Sequence, residues 1–256
     1  MPFRPVNLNS LSTVDRFWRP LQFALLPPHC LLCGVRGDVP RDLCSACAAD
    51  LAPNHTACAR CALPLPIPAA RCGECLKNEP PFDAAFAPYL YAHPLDLLLT
   101  QLKFGRRLAA GRVLAELWAG ALHRARADGT VCALPEAIVP MPLHTARLRE
   151  RGYNQALELA KPLAREFGVA LVPGLLRRTR ATAAQSDLDA AARRKNLRGA
   201  FDVDDAVLEA NAPTHVVLLD DVMTTGTTVR EAARTLKRAG IARIDVWALA
   251  RAPHRR

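Results

Sequence analysis

The chain lacks long apolar runs and has few aromatic side chains. No uncharged apolar stretch approaches the ~18 residues of a membrane-spanning helix, so no membrane insertion is expected. The short apolar run 21–28 leads into His29 and Cys30 and not into small residues typical of a cleavage site. A secretory signal is therefore not predicted, and a cytoplasmic location is expected. Only 5% of the residues are aromatic, which is little for a surface that stacks nucleobases.

Two common phosphate-binding motifs are also missing. The sequence contains neither GxxxxGK[ST] nor GxGxxG, so an ordinary P-loop or dinucleotide-binding domain loses its main support. Apolar residues make up 50% of the chain and charged residues 23%, which excludes a disordered or collagen-like protein. What the composition indicates is a folded globular chain.

The charge is strongly positive and unevenly distributed. Thirty-four Lys and Arg residues against twenty-four Asp and Glu give a formal net charge of +10. Residues 141–200 hold twelve basic and five acidic residues, a balance of +7, whereas residues 1–79 hold eight and six, a balance of +2. We therefore expect the middle of the chain to meet an anion such as a phosphate-rich ligand or nucleic acid. A solvated basic face is the alternative.

Eight of the nine cysteines form four C-x2-C pairs, with ten residues between each pair and the next. Two such knuckles facing each other supply the four-thiolate tetrahedron that zinc accepts, so the sequence predicts two structural zinc ions. Spacing does not fix which pairs share an ion, because interleaved pairing costs only about half a kcal/mol more in loop closure. We expect consecutive pairs to share one, because each ribbon then folds locally. Disulfides, an iron–sulfur centre and a redox dithiol are less favoured alternatives. The ninth, Cys132, is expected to be a small apolar filler. The paired cysteines are Cys30, Cys33, Cys44, Cys47, Cys58, Cys61, Cys72 and Cys75.

Prolines mark a change in the character of the chain near residue 80. Three of the five residues 64–68 are proline, and two more prolines follow the last cysteine pair. We predict a lead segment over 1–29, a double zinc ribbon over 30–79 and a second domain over 80–256. There, the alternation of elements indicates an α/β fold with a parallel sheet flanked by helices. The predicted strands are 84–91, 137–140, 216–220 and 244–249, and the predicted helices are 95–104, 109–125, 154–167 and 228–239.

The most informative stretch runs from an apolar strand into a threonine-rich turn. Four apolar residues, Val216 to Leu219, precede Asp220 and Asp221, which we expect at the carboxyl end of the strand, where open α/β sheets bind ligands. The following amides and hydroxyls suit a phosphate at a helix N-terminus, and the carboxylates suit neighbouring sugar hydroxyls. A ribose 5-phosphate carries both groups. Alternatively, the threonines only cap the helix. The predicted phosphate ligands are Thr224, Thr225, Gly226, Thr227 and Thr228.

These motifs resemble those of the type I phosphoribosyltransferases. Within them, the chain resembles the competence-associated ComF family, which joins a double zinc ribbon to this domain. The similarity rests on the four cysteine pairs, on the run from Asp220 to Thr228 and on stretches between them. Those stretches are Pro81-Phe82-Asp83, Leu102 to Gly105, Val139 to His144, Arg147 to Gln155, Gln185 to Leu188 and Lys195 to Phe201.

The resemblance implies a site for phosphoribosyl pyrophosphate. Magnesium is expected to enter on the phosphates of that ligand. Arg147 and Arg151 are implied as bidentate donors to the pyrophosphate. Asp220 and Asp221 are implied as the catalytic carboxylates, which hold the ribose hydroxyls and stabilise positive charge at the ribose. The arginines alternatively form a solvated helix face.

The resemblance also implies roles for two segments near this site. Loop 140–144 takes the place of the pyrophosphate loop, but Pro140 and Pro142 remove backbone donors from it, which puts catalytic turnover in question. The basic segment 177–201 takes the place of a mobile flap, and it also suits the backbone of single-stranded DNA. The candidates for stacking on bases are Phe104, Tyr153 and Phe201.

Two functions follow from the resemblance. The first is a phosphoribosyltransferase that displaces pyrophosphate from ribose C1 with a nitrogen nucleophile and acts in DNA uptake or nucleotide metabolism. Its acceptor base is not identifiable from the sequence, although Tyr91 and Lys103 are candidates for contacting it. The second is a non-catalytic module that binds a phosphoribosyl ligand and single-stranded DNA, or proteins of the DNA-uptake machinery.

Overall fold

A computed structural model describes residues 27–105, 107–180 and 199–253 of the chain. Most of the predicted lead segment 1–29, and the part of the predicted flap between residues 181 and 198, lie outside these ranges. The contacts divide the chain into two units, one ending at Asp50 and the other beginning at Leu51. The domain boundaries predicted from the sequence stay a prediction.

The first unit contains two cysteine knuckles. In the first knuckle, the amide of Gly34 donates to the carbonyl of Cys30 over 2.9 Å. Gly34 has a φ of +77°, a left-handed conformation that closes the turn and that residues with a Cβ rarely adopt. The second knuckle leads into the short helix α1 (Ser45–Ala49), whose N-cap is Cys44.

The second unit is built around a parallel sheet, which confirms the predicted fold class. The order of its main strands is β1-β8-β7-β3-β4, all pairs are parallel, and β2 also pairs with β8. A separate antiparallel pair is formed by β5 and β6. The strands are β1 (Ala84–Phe86), β2 (Tyr89–Leu90), β3 (Ala137–Pro140), β4 (Ala170–Leu171), β5 (Leu176–Arg178), β6 (Phe201–Val203), β7 (His215–Met223) and β8 (Arg243–Arg251).

Helices cover this sheet and bury an apolar core. In β7, the residues Val216 to Leu219 are fully buried, as expected for a central strand covered on both faces. Among the residues described, no helix has the length and apolar composition that crossing a bilayer requires. The helices of this unit are α2 (Gly73–Lys77), α3 (Leu95–Lys103), α4 (Leu108–Ala127), α5 (Thr145–Arg151), α6 (Gln155–Phe167), α7 (Asp205–Asn211) and α8 (Thr227–Arg238).

The sequence explains where α6 begins and ends. The side chain of Asn154 accepts a hydrogen bond from the amide of Ala156, and this cap starts the helix. Gly168, with a φ of +65°, ends it in the left-handed conformation expected of a helix C-cap. This fixed start matters for the site, because Asn154 also donates to the carbonyl of Met141, at the end of β3.

Two differences from the predicted elements have clear physical reasons. The predicted strand 84–91 is divided into β1 and β2, because Pro88 has no N–H to donate to the sheet. The predicted strand 216–220 continues to Met223, because β8 is equally long and pairs with it up to Arg251. As a result, Asp220 and Asp221 lie within the strand, ahead of the carboxyl end at which we expected them.

Candidate functional site

The cysteines form two clusters of four, and consecutive pairs share a cluster as predicted. One cluster contains Cys30, Cys33, Cys44 and Cys47, and the other contains Cys58, Cys61, Cys72 and Cys75. Within each cluster, all four Sγ atoms lie within 4.8 Å of one another. The distance between adjacent knuckles is 3.7 Å from Cys33 Sγ to Cys44 Sγ. Zn–S bonds of ~2.3 Å in a tetrahedron require about 3.8 Å between sulfurs, so the clusters fit zinc.

The ionisation of the buried thiols also favours a cation in the second cluster. Burial raises the pKa of Cys61 to about 11. Burial, followed by the hydrogen bond with Cys61, raises the pKa of Cys75 as well. Four thiolates are therefore not stable together without a compensating positive charge, which a divalent metal supplies.

The ninth cysteine has no part in these clusters. Cys132 is exposed, and its thiol donates to the carbonyl of Gly129 over 3.0 Å. The expectation of a small apolar filler at this position is wrong, because the segment before β3 runs over the surface.

A second candidate site is a cavity near the carboxyl ends of the neighbouring strands β3 and β7. It brings together β7, the end of α3, helix α5, the start of α6, strand β5 and the start of α8. Both predicted carboxylates and both predicted arginines line it, and so does one of the five predicted phosphate ligands. The residues that line the cavity are Lys103, Met141, Pro142, Leu143, Arg147, Arg151, Asn154, Gln155, Ala156, Arg178, Asp220, Asp221 and Thr228.

Asp221 is held in this cavity by an ion pair. Its carboxylate is only 6% exposed, and Oδ2 lies 2.5 Å from Nζ of Lys103, which is 21% exposed. Burial by itself lowers the pKa of Lys103, but the attraction of Asp221 outweighs it and raises that pKa. Lys103 was predicted only as a contact for the acceptor base, and the structure instead places its ammonium group beside the carboxylates.

Asp220 is half-buried, and Asp221 is buried more completely. Burial raises its pKa well above the usual range, and the charge of Asp221 raises it further. Lys103 opposes this effect only in part. A proton or a hydrogen-bond donor is therefore favoured at Asp220, as is typical of a carboxylate that meets ligand hydroxyls.

The turn after β7 has the geometry of a helix start. Gly226 has a φ of +73° and is the N-cap of α8, and its left-handed conformation lets the chain reverse there. The hydroxyl of Thr225 accepts from the amide of Thr227 over 3.4 Å and lies 2.8 Å from the hydroxyl of Thr227. Thr224 and Thr225 are exposed, so their polar groups are accessible to a ligand.

Three arginines from two elements face the carboxylates. Arg147 and Arg151 are four residues apart on α5, which places them on the same helix face. Arg178, on β5, belongs to the segment 177–201 that was predicted as a flap over the site, but it was not singled out as a ligand residue. Arg178 and Arg147 line the same cavity. Burial lowers the pKa of Arg178, and the like charge of Arg147 lowers it further. With Lys103, the cavity has four basic side chains and two acidic ones.

Loop 140–144 provides few amide donors at the cavity. Pro140 and Pro142 have no N–H, and the amide of Met141 donates to the carbonyl of Leu219 within the sheet. Positive charge therefore comes from side chains here and not from the backbone of the loop.

Comparison with known proteins now identifies the family. Residues 21–76 match the double zinc ribbon domain, and residues 154–256 match the phosphoribosyl transferase domain. A Salmonella typhimurium protein named DNA utilization protein YhgH is 38% identical over 227 residues, which cover 88% of this chain and 98% of that protein. Competence protein F of Haemophilus influenzae is 37% identical over 211 residues, which cover 82% and 90% of the two chains. The chain belongs to the ComF family.

The residues predicted to stack on bases in this ComF chain have different environments. Phe104 is 69% exposed, and the guanidinium carbon of Arg151 lies 5.3 Å from the centre of its ring. Phe201 is buried, with Arg178 over its ring, so it is not accessible to a base. The hydroxyl of Tyr153 donates to the carbonyl of Leu102, next to Lys103.

Gln155 is a further cavity residue that the sequence did not single out. It is 5% exposed, and within the described part of the chain its Oε1 atom is buried without a hydrogen-bond partner. A buried acceptor of this kind is costly unless a ligand or water satisfies it. No local pattern distinguishes this glutamine from one that only begins a helix.

Proposed function

We propose that the cavity binds phosphoribosyl pyrophosphate together with magnesium and that the chain transfers the ribosyl group to a nitrogen nucleophile. The observation that carries this proposal is the meeting of two carboxylates with four basic side chains beside the start of α8. A sugar that carries phosphates has both kinds of group, hydroxyls for the acids and phosphoryl oxygens for the bases. We also propose that each cysteine cluster holds one structural zinc ion and that the protein acts in the cytoplasm.

In this proposal, different residues bind different parts of the ligand. The turn Thr224–Thr228 and the N-terminus of α8 bind the 5-phosphate, because free amides and the helix dipole favour an anion there. Asp220 accepts hydrogen bonds from the ribose hydroxyls, and Asp221 keeps Lys103 at the cavity. Arg147 and Arg151 bind the pyrophosphate with paired donors.

The reaction that fits this arrangement is substitution at ribose C1. The bond between C1 and the pyrophosphate oxygen breaks, pyrophosphate leaves with the electron pair, and the lone pair of the nitrogen nucleophile forms the new bond. The carboxylates of β7 stabilise the positive charge that develops on the ribose, and the guanidinium groups stabilise the leaving anion. Magnesium supplies charge neutralisation on the phosphates when it is bound.

Calorimetry with phosphoribosyl pyrophosphate and magnesium tests the site. We expect the double variant Asp220→Asn/Asp221→Asn to lose binding while keeping its zinc. A matched control is Asp202→Asn/Asp205→Asn, which removes the same charge from exposed positions outside the cavity and should bind like the wild type. Undiminished affinity in the first variant contradicts the assignment.

Catalysis requires a separate measurement. Release of pyrophosphate should be followed across a panel of nucleobases and amines, with the double aspartate variant as the blank. Release that depends on one acceptor supports the transferase. Tight binding without release from any acceptor supports a non-catalytic phosphoribosyl-binding module instead.

A second function, binding of single-stranded DNA, is supported by the exposed pair of Phe104 and Arg151. An exposed ring beside a guanidinium group provides a stacking surface next to positive charge. Relatives of this chain are named as proteins of DNA utilization and competence. We infer that the chain takes part in DNA uptake, and that a DNA strand, or a protein of the uptake machinery, meets this rim of the cavity.

A further inference from the structure

Arg251 is a buried residue that connects two parts of the second unit. It ends β8, and only 5% of it is exposed. Its Nε atom donates to the carbonyl of Cys61 over 3.1 Å. Its Nη1 atom donates to the carbonyl of Met223 over 3.0 Å, to that of Ala252 over 2.8 Å and also to that of Thr224. One guanidinium group thus contacts backbone from three separate segments.

The two ends of this bridge belong to different predicted sites. Cys61 lies in the first knuckle of the second cysteine cluster. Met223 and Thr224 are the residues where β7 passes into the phosphate-binding turn. Arg251 therefore lies between a metal cluster and the turn that the proposed ligand needs, and both lie in the second unit.

The position of the Cys61 carbonyl depends on the shape of its knuckle. The knuckle is closed by the amide of Ala62, which donates to the carbonyl of Cys58 over 2.7 Å. Ala62 has a φ of +54°, a left-handed conformation that is unfavourable for a residue with a Cβ. Surrounding contacts must hold such a turn in place, and a metal ion bound by Cys58 and Cys61 would stabilise it.

The opposite end of the bridge limits the freedom of the turn. The carbonyl of Met223 also accepts from the amide of Ala252 over 3.0 Å, so it has a second contact. The carbonyl of Thr224 is the first of the turn itself, and Arg251 is its side-chain donor. Loss of this contact frees the beginning of the turn without breaking the pairing of β7 with β8.

We propose that Arg251 is a positioning residue that couples metal binding in the second cysteine cluster to the order of the turn Thr224–Thr228. When the knuckle is closed around its metal, the Cys61 carbonyl holds the guanidinium group, and the guanidinium group holds the turn. The consequence for ligand affinity rests on the proposed function, whereas the effect on the turn does not. The first cluster lies in the other unit and provides a control.

Hydrogen exchange of the zinc-loaded full chain without ligand tests the bridge. In Arg251→Gln, which cannot reach both ends, we expect faster exchange of the two amides that hold the turn, those of Thr227, which donates to Oγ1 of Thr225, and Arg230, which donates to the carbonyl of Gly226. The expected acceleration is about tenfold, which corresponds to the loss of one hydrogen bond of ~1.4 kcal/mol. Arg251→Lys should restore part of the protection. The control Arg243→Gln removes an arginine from the opposite end of β8, where it contacts Asp245, and should leave the turn unchanged. An unchanged turn in Arg251→Gln overturns the proposal.

Removal of one metal at a time tests the direction of the coupling. Cys75→Ser, which disables the second cluster, should accelerate exchange in the turn, whereas Cys30→Ser, in the first cluster, should not. Protection of the Val216–Leu219 amides reports whether the sheet remains folded, and if Cys75→Ser unfolds it, the Arg251 variants decide alone. Equal effects of Cys75→Ser and Cys30→Ser in a folded sheet contradict the coupling.

Affinity for phosphoribosyl pyrophosphate separates this proposal from the previous one. If the wild type binds, Arg251→Gln should weaken binding about tenfold while zinc content stays the same. If the wild type does not bind, the proposed function fails, and the exchange of the turn still decides whether Arg251 couples it to the metal cluster.

Discussion

The buried ion pair between Lys103 and Asp221 allows a quantitative test of how the cavity is assembled. Replacement of Lys103 by Met removes the ammonium group but keeps most of the apolar stem, so Asp221 stays buried without its counter-ion. Asp221→Asn makes the opposite change. The combination of both variants with the wild type forms a double-mutant cycle, which isolates the energy of the pair.

The structure sets the expected magnitude. At 2.5 Å and an effective dielectric constant of about 20, two unit charges attract each other by about 6 to 7 kcal/mol. Desolvation of both groups offsets most of this attraction, so the pair contributes little net stability. Removal of one partner is different, because it leaves a charge uncompensated at a cost of ~3–5 kcal/mol. Since Lys103 keeps 21% exposure, we expect about 3 kcal/mol for Lys103→Met and a coupling energy of about 2 to 3 kcal/mol.

Urea unfolding of zinc-saturated protein measures these energies. The control is the pair of Lys161 and Glu158 on α6, whose atoms lie 2.6 Å apart but whose side chains are 42% and 25% exposed. A solvated pair of this type couples by only ~0.3–0.5 kcal/mol. The two cycles therefore differ in burial and not in distance. A coupling energy for Lys103 and Asp221 no larger than that of the control refutes the view that this ion pair assembles the cavity.

Three further predictions use the titration of Asp220, the metal clusters and the exposed ring. The pKa of Asp220 is raised in the folded state, so the native chain loses stability as pH rises through that pKa. Asp220→Asn should therefore be more stable than the wild type at neutral pH. In thermal unfolding, this difference in stability should disappear below about pH 4. Metal analysis should find about two zinc ions per chain and about one in Cys30→Ser, because each site needs four thiolates, and protein purified without chelator that contains none contradicts both sites. For single-stranded DNA, Phe104→Ala should weaken binding by ~1 kcal/mol at every salt concentration, whereas Arg151→Gln should reduce the salt slope by about one; affinity that does not fall with salt rules out a charge-based interface.

Much of the fold is predictable because its signals are local. The start and end of α6 follow from Asn154 and Gly168, and strand 137–140 has the predicted bounds. The C-x2-C spacing predicts four-thiolate sites, but it does not fix which pairs meet; consecutive pairing was expected because each ribbon then folds locally, and the structure confirms it. The strands β5 and β6 were not predicted, because three residues are too few to show a periodicity.

The site is less predictable because its decisive contacts join distant parts of the chain. The sequence predicts that Asp220 and Asp221 lie near a turn suited to a phosphate, but it does not indicate the ion pair of Asp221 with Lys103. It places Arg178 in the predicted flap 177–201 without singling it out as a cavity residue, and it does not indicate that Arg251 contacts the turn. Each of these contacts depends on how α3, β5 and β8 pack, and no residue type or spacing near them records that packing.

The arrangement of the cavity has a consequence for how an anion is bound there. In loop 140–144, two prolines lack an N–H and the amide of Met141 is used in the sheet, so that loop offers a pyrophosphate few backbone donors. Lys103, Arg147 and Arg178 supply charge instead, from three elements that come together only in the folded chain. Side-chain charges at a partly open cavity are screened by salt more than buried amides are. Affinity for a phosphorylated ligand should therefore depend on ionic strength and on the packing of α3, and a variant that loosens α3 should weaken binding without touching the ligand.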